Sequence, residues 1–238
     1  MLFSILQGGD LKEALIQLLL SLPIIILALT VHETAHGYVA YRCGDPTAYN
    51  LGRLTLNPIK HLDPIGFLAM LVFGYGWAKP VPINTRYFRN PKRDMAITAA
   101  AGPLSNLLMA IVSAVLCGAL RAWYVYLLYT NPQNEFAMTC VFVTMTLFEL
   151  GALYNFLFMA FNLIPVPPFD GSRIAFVFLP ARLYFKVMRY ERQIMFGLLI
   201  GLLVLSRVFS FSPFSWIAYT LTDLIVNPVA KGVFSLLL

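Results

Sequence analysis

Long apolar stretches constrain the fold of this sequence more than any other feature. The segment Leu11–Val31 carries no charge after Glu13 and is long enough to cross about 30 Å of hydrocarbon. Further apolar segments follow at Met95–Leu120, Phe136–Leu163, Gln193–Val208 and Phe214–Leu238. A soluble domain could not hide this apolar surface, because only 12% of the residues are charged, against roughly 25% in soluble domains. We therefore predict an all-α polytopic membrane protein with about four to six transmembrane helices, forming a single domain over residues 1–238.

Shorter segments between these stretches predict a different kind of element. Ile65–Tyr75 is apolar but only about eleven residues long, which favours a re-entrant element over a full span. Leu51–Pro58 alternates apolar and polar residues in part, as a short strand does. Gly76–Asn84 contains two prolines two positions apart, which exclude a helix and favour extended backbone. We predict a short re-entrant or β-hairpin element here, and an interfacial amphipathic helix at Ile174–Tyr190.

The basic residues indicate an orientation in the membrane. The formal net charge is +6, and the positive residues cluster in loops between apolar segments, as the positive-inside rule predicts. If loops 42–93 and 165–192 and the C-terminal end share one side, that side holds fourteen of the 17 basic residues. Lys12, Arg121 and Arg207 remain on the other side. We predict that the first side is cytoplasmic, and that the partner of these charges is the lipid bilayer and not a nucleic acid.

The sequence His32-Glu33-Thr34-Ala35-His36 predicts a metal site on the first helix. Residues four apart lie about 40° from each other around a helix, so both imidazoles share one face and can bind one zinc ion. Glu33 can then reach a water on that metal as a general base. The alternative is that these are packed polar residues. Charged groups inside a membrane span cost about 2–3 kcal/mol each, however, and are functional by default.

A catalytic zinc site needs a third protein ligand. Asp170 is the best candidate, because it lies in a Pro-rich turn predicted on the same side as His36. It could equally cap the helix that begins near Ser172, and the residues alone do not separate these two roles. Glu149, an acid inside the third long span, and His61, in a loop, are weaker candidates. We expect Glu149 to form hydrogen bonds within the bundle and His61 to be structural.

Three separated motifs resemble the site-2 protease family of intramembrane zinc metalloproteases. They are the HExxH sequence, Ala101-Gly102-Pro103-Leu104-Ser105-Asn106, and the stretch from Asn162 to Gly171, which holds an Asn-x-x-Pro and an Asp-Gly. The resemblance covers residues from about 20 to 180 and is strongest to the small bacterial subgroup without PDZ or CBS modules. It departs at Ser172, where a second glycine is usual.

The resemblance implies a ligand set and a setting. His32, His36 and Asp170 bind one zinc ion per chain, and Glu33 activates the water. The expected location is a bacterial cell membrane, with the active site toward the cytoplasm and with transmembrane proteins as substrates.

Two asparagines are further candidates. An amide in a membrane helix usually bonds to a neighbouring helix, but its N–H can also donate to the oxyanion of a tetrahedral intermediate. Asn106 resembles the family asparagine that lies near the active site, so we predict a catalytic role for it. Asn162 is a possible substrate or oxyanion contact.

The predicted function is therefore the hydrolysis of peptide bonds in or near transmembrane segments. An intact helix hides its carbonyls in hydrogen bonds, so the substrate must unwind locally, and Trp77–Asn84 could hold it by β-addition. The main alternative is a non-proteolytic membrane protein with a structural zinc ion. Such sites usually have four protein ligands and no use for Glu33. A transporter should show inverted repeats, and none is visible in the sequence.

Overall fold

The computed structural model of the chain describes residues 10–73, 76–178 and 213–237, and isolated positions between 180 and 201. Within these residues the regular elements are helices and short 3₁₀ turns, and no strand is present. The helices are α1 (Leu11–Arg42), α2 (Thr47–Asn50), α3 (Pro64–Phe73), α4 (Pro91–Thr130), α5 (Glu135–Asn162), α6 (Asp170–Ala175) and α7 (Pro213–Leu237). The 3₁₀ turns are Pro58–Lys60, Thr85–Tyr87 and Phe176–Phe178.

Four of the described helices are long and apolar enough to cross a membrane, namely Leu15–Arg42, Pro91–Thr130, Glu135–Asn162 and Phe214–Leu237. The prediction of an all-α membrane protein is confirmed, and four of the five predicted spans coincide with these helices. The remaining span, Gln193–Val208, lies almost entirely outside the described residues. About half of the predicted interfacial helix at Ile174–Tyr190 also lies outside them, and its first five residues are the end of α6 and a 3₁₀ turn.

Helix α1 has clear start and stop signals. The side chain of Asp10 accepts a hydrogen bond from the backbone N–H of Lys12 at 2.9 Å and so caps the first turn. The helix ends at Arg42, and Gly44 follows with a φ of 109°, a conformation that favours glycine. The HExxH sequence therefore occupies the last three turns of a 32-residue helix, near one end of a membrane span.

Helix α4 is the centre of the bundle and packs against α1, α5, α6 and α7. Its buried face consists largely of small residues, which allow close approach of neighbouring helices in a membrane. Ala110 packs with Phe156 of α5 and Ala218 of α7. One and two turns farther along, Ala114 and Cys117 meet the same two helices. This arrangement leaves the N-terminal third of α4 to face α1.

The predicted β-hairpin is not formed by the described residues. Leu51–Pro58 is a turn that leads into the 3₁₀ turn Pro58–Lys60. Ile65–Tyr75 overlaps the ten-residue helix α3, which is too short to cross a membrane. Gly76–Asn84 is extended, but its only strand-like pairing with another described residue is an isolated antiparallel bridge between Leu62 and Ala78. The reason is chemical: Pro80 and Pro82 have no N–H, so a ladder cannot continue along this segment.

Candidate metal centre

The Nε2 atoms of His32 and His36, the two histidines of α1, lie next to each other. Nδ1 of His32 lies 2.5 Å from Oδ1 of Asn106, and Nδ1 of His36 lies 2.7 Å from the carbonyl oxygen of Thr98. Both partners are acceptors, so both Nδ1 atoms carry the proton and both Nε2 atoms carry a lone pair. Because α4 supplies both acceptors, it fixes the tautomer and orientation of each ring.

The third member of the cluster is Asp170, the first residue of α6. Its Oδ2 lies 3.1 Å from Nε2 of His32 and 3.1 Å from Nε2 of His36, and the two Nε2 atoms are 3.0 Å apart. The alternative role of Asp170 as a helix cap is not observed, since Phe169 occupies the N-cap position and no side chain caps the helix. Ser172, the position at which the resemblance departs, is buried and donates its hydroxyl to the carbonyl of Phe169 at 2.7 Å.

The charge state of Asp170 suits a metal ligand. Burial disfavours the ionised carboxylate, but an Nε2 of His32 or His36 that is protonated donates to it, which outweighs burial and holds the pKa of Asp170 well below its usual range. Asp170 is therefore an anion at neutral pH, which is the form in which a carboxylate binds a metal.

The donor set fits a zinc ion. The two Nε2 atoms and Oδ2 converge at 3.0–3.1 Å, and with the rings neutral all three carry lone pairs, which is unfavourable unless a proton or a metal cation lies among them. Ligand atoms around tetrahedral zinc are about 3.3 Å apart, close to these separations. Two imidazoles and one carboxylate leave a coordination position open, as catalytic zinc sites do. Among the described residues, this is the only cluster of at least three such side chains.

Gly102 explains how α4 can lie so close to the rings. A Cβ atom at this position would clash with Nε2 of both His32 and His36. One turn later on α4, Asn106 contacts His32 from behind. Because Gly102 of the Gly-Pro motif has no side chain, the backbone of α4 can lie directly against the two histidine rings.

Glu33 is anchored to the extended segment 76–84. Its Oε2 accepts a hydrogen bond from the backbone N–H of Val81 at 2.8 Å. The segment is held in turn by Arg53, which donates to the carbonyl of Lys79 at 2.8 Å, and by Asp45, which accepts from the N–H of Asn84 at 2.6 Å. Glu33 therefore has one carboxylate oxygen fixed by this bond, beside the histidine cluster.

A cavity of about 360 Å³ joins these groups. His32, Glu33, His36 and Asp170 line it, together with Val81 and Ile83 of the extended segment. Asn162 and Arg173 also face it. Sequence reasoning missed Arg173, the one Arg or Lys among the described lining residues. The sequence did contain an indication of this position, because a residue three positions after Asp170 lies on the same face of a helix.

The two predicted asparagines lie in different places. Asn106 is fully buried behind His32, and its amide nitrogen donates to Asn155 at 2.8 Å and approaches the carbonyl of Ala28 at 3.4 Å. This arrangement favours contact with a ligand ring over donation to an oxyanion. Asn162 ends α5 and lines the cavity, with its amide nitrogen 3.0 Å from the carbonyl of Phe158.

The two weaker ligand candidates lie outside the cluster. His61 is buried, and its Nε2 donates to the carbonyl of Thr55 at 2.8 Å, so it holds the loop together. Glu149 on α5 is exposed and is not grouped with the histidines. Its expected hydrogen bond within the bundle is not observed among the described residues.

Comparison with known proteins identifies similar sequences. The model of peptidase family M50 matches residues 20–206. "Putative zinc metalloprotease YwhC" of Bacillus subtilis (strain 168) is 41% identical over 152 residues, which cover 63% of this chain and 64% of that protein. "Putative zinc metalloprotease Rip2" of Mycolicibacterium smegmatis is 31% identical over 152 residues, covering 61% of this chain and 52% of that protein. The chain thus spans less than two thirds of the length of these relatives. No solved structure matches it.

Proposed function

We propose, from the premise that this chain belongs to peptidase family M50, the site-2 protease family, that it cleaves peptide bonds in or near transmembrane segments of other membrane proteins. The observation that carries this proposal is the convergence of three lone-pair atoms beside Glu33 in one cavity. His32, His36 and Asp170 would hold one zinc ion per chain. When bound, zinc supplies Lewis acidity, which lowers the pKa of water and polarises a peptide carbonyl.

The chain's own residues would carry the remaining steps. Glu33 takes the proton of the attacking water and delivers it to the leaving amine, as a general base and then a general acid. Its bond to Val81 holds the carboxylate in place. Asn162 and Arg173 line the cavity as candidate donors to the oxyanion. Asn106 is assigned to positioning His32.

The depth of the cluster supports cleavage within the membrane. His36 and His32 precede the end of α1 at Arg42 by six and ten residues, or about 9 and 15 Å along the helix. The cavity would thus open a short distance below the membrane surface. The charge bias of the loops supports a cytoplasmic location for that end of the bundle, and the family resemblance supports the cell membrane as the location of the chain.

The extended segment offers a means of holding an unwound substrate. Within the described part of the chain, Ile83 makes no backbone hydrogen bond although it lines the cavity. Its N–H and C=O can pair with an extended peptide, which is recognition by strand addition. Such pairing would present a substrate carbonyl beside Glu33.

Comparing the native chain with Glu33→Gln tests the proposal. Newly formed N-termini of membrane proteins would be quantified by mass spectrometry in cells that carry either form. We expect specific membrane proteins to lose a cleaved form in the variant while the purified variant keeps its zinc. His36→Ala is the matched control and should lose both zinc and cleavage. Identical N-termini in native and Glu33→Gln cells, with zinc bound in both, would favour a structural zinc site.

A further inference from the structure

A series of buried, hydrogen-bonded polar side chains links α5 to the histidine cluster, and the sequence analysis did not identify it. We propose that Asn155 of α5 is a positioning residue of the metal site, acting through Asn106 on His32. This inference rests on the proposed function, because it concerns how the ligands of that site are oriented. It assigns a role in metal binding to a residue that no motif marks.

The geometry is a continuous series of short contacts. Nδ1 of His32 donates to Oδ1 of Asn106, and Nδ2 of Asn106 donates to Oδ1 of Asn155 at 2.8 Å. Nδ2 of Asn155 in turn donates to the carbonyl of Gly151 at 2.8 Å. Asn106 and Asn155 are 0% and 1% exposed, so water does not compete for these bonds. This series of hydrogen bonds joins three helices, α1, α4 and α5.

The last acceptor of this series, the carbonyl of Gly151, fixes the donor and acceptor of every hydrogen bond in the series. The carbonyl of Gly151 can only accept, so Asn155 must turn its Nδ2 toward Gly151 and its Oδ1 toward Asn106. Asn106 must then turn its Nδ2 toward Asn155 and its Oδ1 toward His32. The nearby carbonyl of Ala28 favours the same orientation of Asn106.

The consequence reaches the metal ligand itself. An oxygen facing Nδ1 of His32 requires the proton on Nδ1, which leaves the lone pair on Nε2 for the metal. If Asn106 were flipped, its Nδ2 would face Nδ1 and the proton would move to Nε2, the wrong tautomer. Thr98 does the same for His36 with a backbone carbonyl, which cannot flip. His32 has only a side-chain amide, so it needs Asn155 behind it.

A purely structural role for Asn155 makes a different prediction. Amide pairs often join helices in membranes, and losing such a pair lowers stability without a specific effect on the metal. A positioning role acts only through Asn106. The loss of Asn155 should therefore change metal affinity, and this change should vanish once Asn106 is absent.

A double-mutant cycle separates the two roles. Asn155→Leu, Asn106→Leu and the double variant would be purified with the native chain, and zinc affinity measured by competition with a chromophoric chelator. We expect affinity to fall about 10- to 100-fold for Asn106→Leu, the range for outer partners of metal ligands, and about tenfold for Asn155→Leu. The double variant should match Asn106→Leu within about twofold. The visible absorption of the cobalt(II)-substituted protein should change for Asn155→Leu, because the His32 ring reorients.

Phe156→Leu is the matched control. Phe156 is the next residue of α5, is 2% exposed and packs in an apolar cluster with Ala110 and Ala218. It should lower thermal stability but leave zinc affinity and the cobalt spectrum unchanged. The positioning role is refuted if Asn155→Leu behaves like Phe156→Leu. It is also refuted if the loss of zinc affinity in the double variant equals the product of the losses in the two single variants. A native chain that binds no zinc would instead refute the proposed metal site.

Discussion

At the scale of single residues, each histidine of the site has two nitrogens with separate tasks. Nδ1 is tied to α4, and Nε2 faces Asp170 and the other ring. The HExxH spacing predicts the second task, because residues four apart share a helix face. It cannot predict the first, because the acceptors are a backbone carbonyl and an amide more than 60 positions away. Asn155, a second amide behind Asn106, likewise belongs to no motif.

Gly102→Ala is expected to disturb the histidines directly. The added methyl group clashes with Nε2 of both rings, so we expect zinc affinity to fall at least about tenfold and stability to fall by about 1–3 kcal/mol. Competition with a chelator measures the first effect, and thermal unfolding in detergent measures the second.

Gly118→Ala supplies the control for that substitution. It lies on the same helix and would also clash, but with Val226 and Val229 of α7. We expect a similar loss of stability with native zinc affinity. Equal loss of zinc affinity in both variants would show that general packing damage, and not contact with the rings, is responsible.

At the scale of elements, the extended segment 76–84 takes the place of the predicted hairpin. The sequence pattern correctly excluded a helix there, because proline lacks an N–H and has a fixed φ. It did not predict what holds the segment, since the anchors are the side chains of Arg53, Asp45 and Glu33 rather than a partner strand. Local alternation reports strand tendency, whereas these anchors come from tertiary contacts.

Ile83→Pro tests whether this element binds substrate. The change removes one N–H that the described structure leaves without a partner, so folding and zinc content should be preserved. The loss of one hydrogen bond to substrate should lower cleavage about tenfold. Appearance of the cleaved fragment of a substrate found in the Glu33→Gln comparison measures this. Ile83→Val keeps the N–H and should cleave normally; equal cleavage by the proline variant would exclude strand addition at this residue.

At the scale of the whole molecule, the number and placement of the described spans follow from the sequence, because length and apolarity alone decide whether a helix can cross a bilayer. The meeting of α1, α4 and α6 at one site does not follow from these properties. The residues alone made Asp170 a candidate ligand but left a helix-cap role equally open, and the resemblance to known proteases favoured the ligand role and brought in Asn106. Small residues along α4 then explain why the helices can approach so closely.

The orientation of the bundle can be tested with single cysteines in a chain whose Cys43, Cys117 and Cys140 are replaced. Lys60 and Gln133 are both exposed, in loops on opposite sides of the predicted topology. A membrane-impermeant maleimide should label Gln133→Cys in intact cells, and should label Lys60→Cys only after the membrane is opened. The reverse pattern would place the cavity on the outer side.

The cluster draws its ligands from distant parts of the chain, and this has a consequence for biogenesis. Asp170 lies 134 residues after His36 and 138 after His32. Ribosomes add about 5–20 residues per second, so Asp170 is synthesised on the order of ten seconds after the histidines of α1. During that interval the nascent chain has two imidazoles but no complete site. The order of synthesis thus delays completion of the cluster of His32, His36 and Asp170 until the first three long helices have been made.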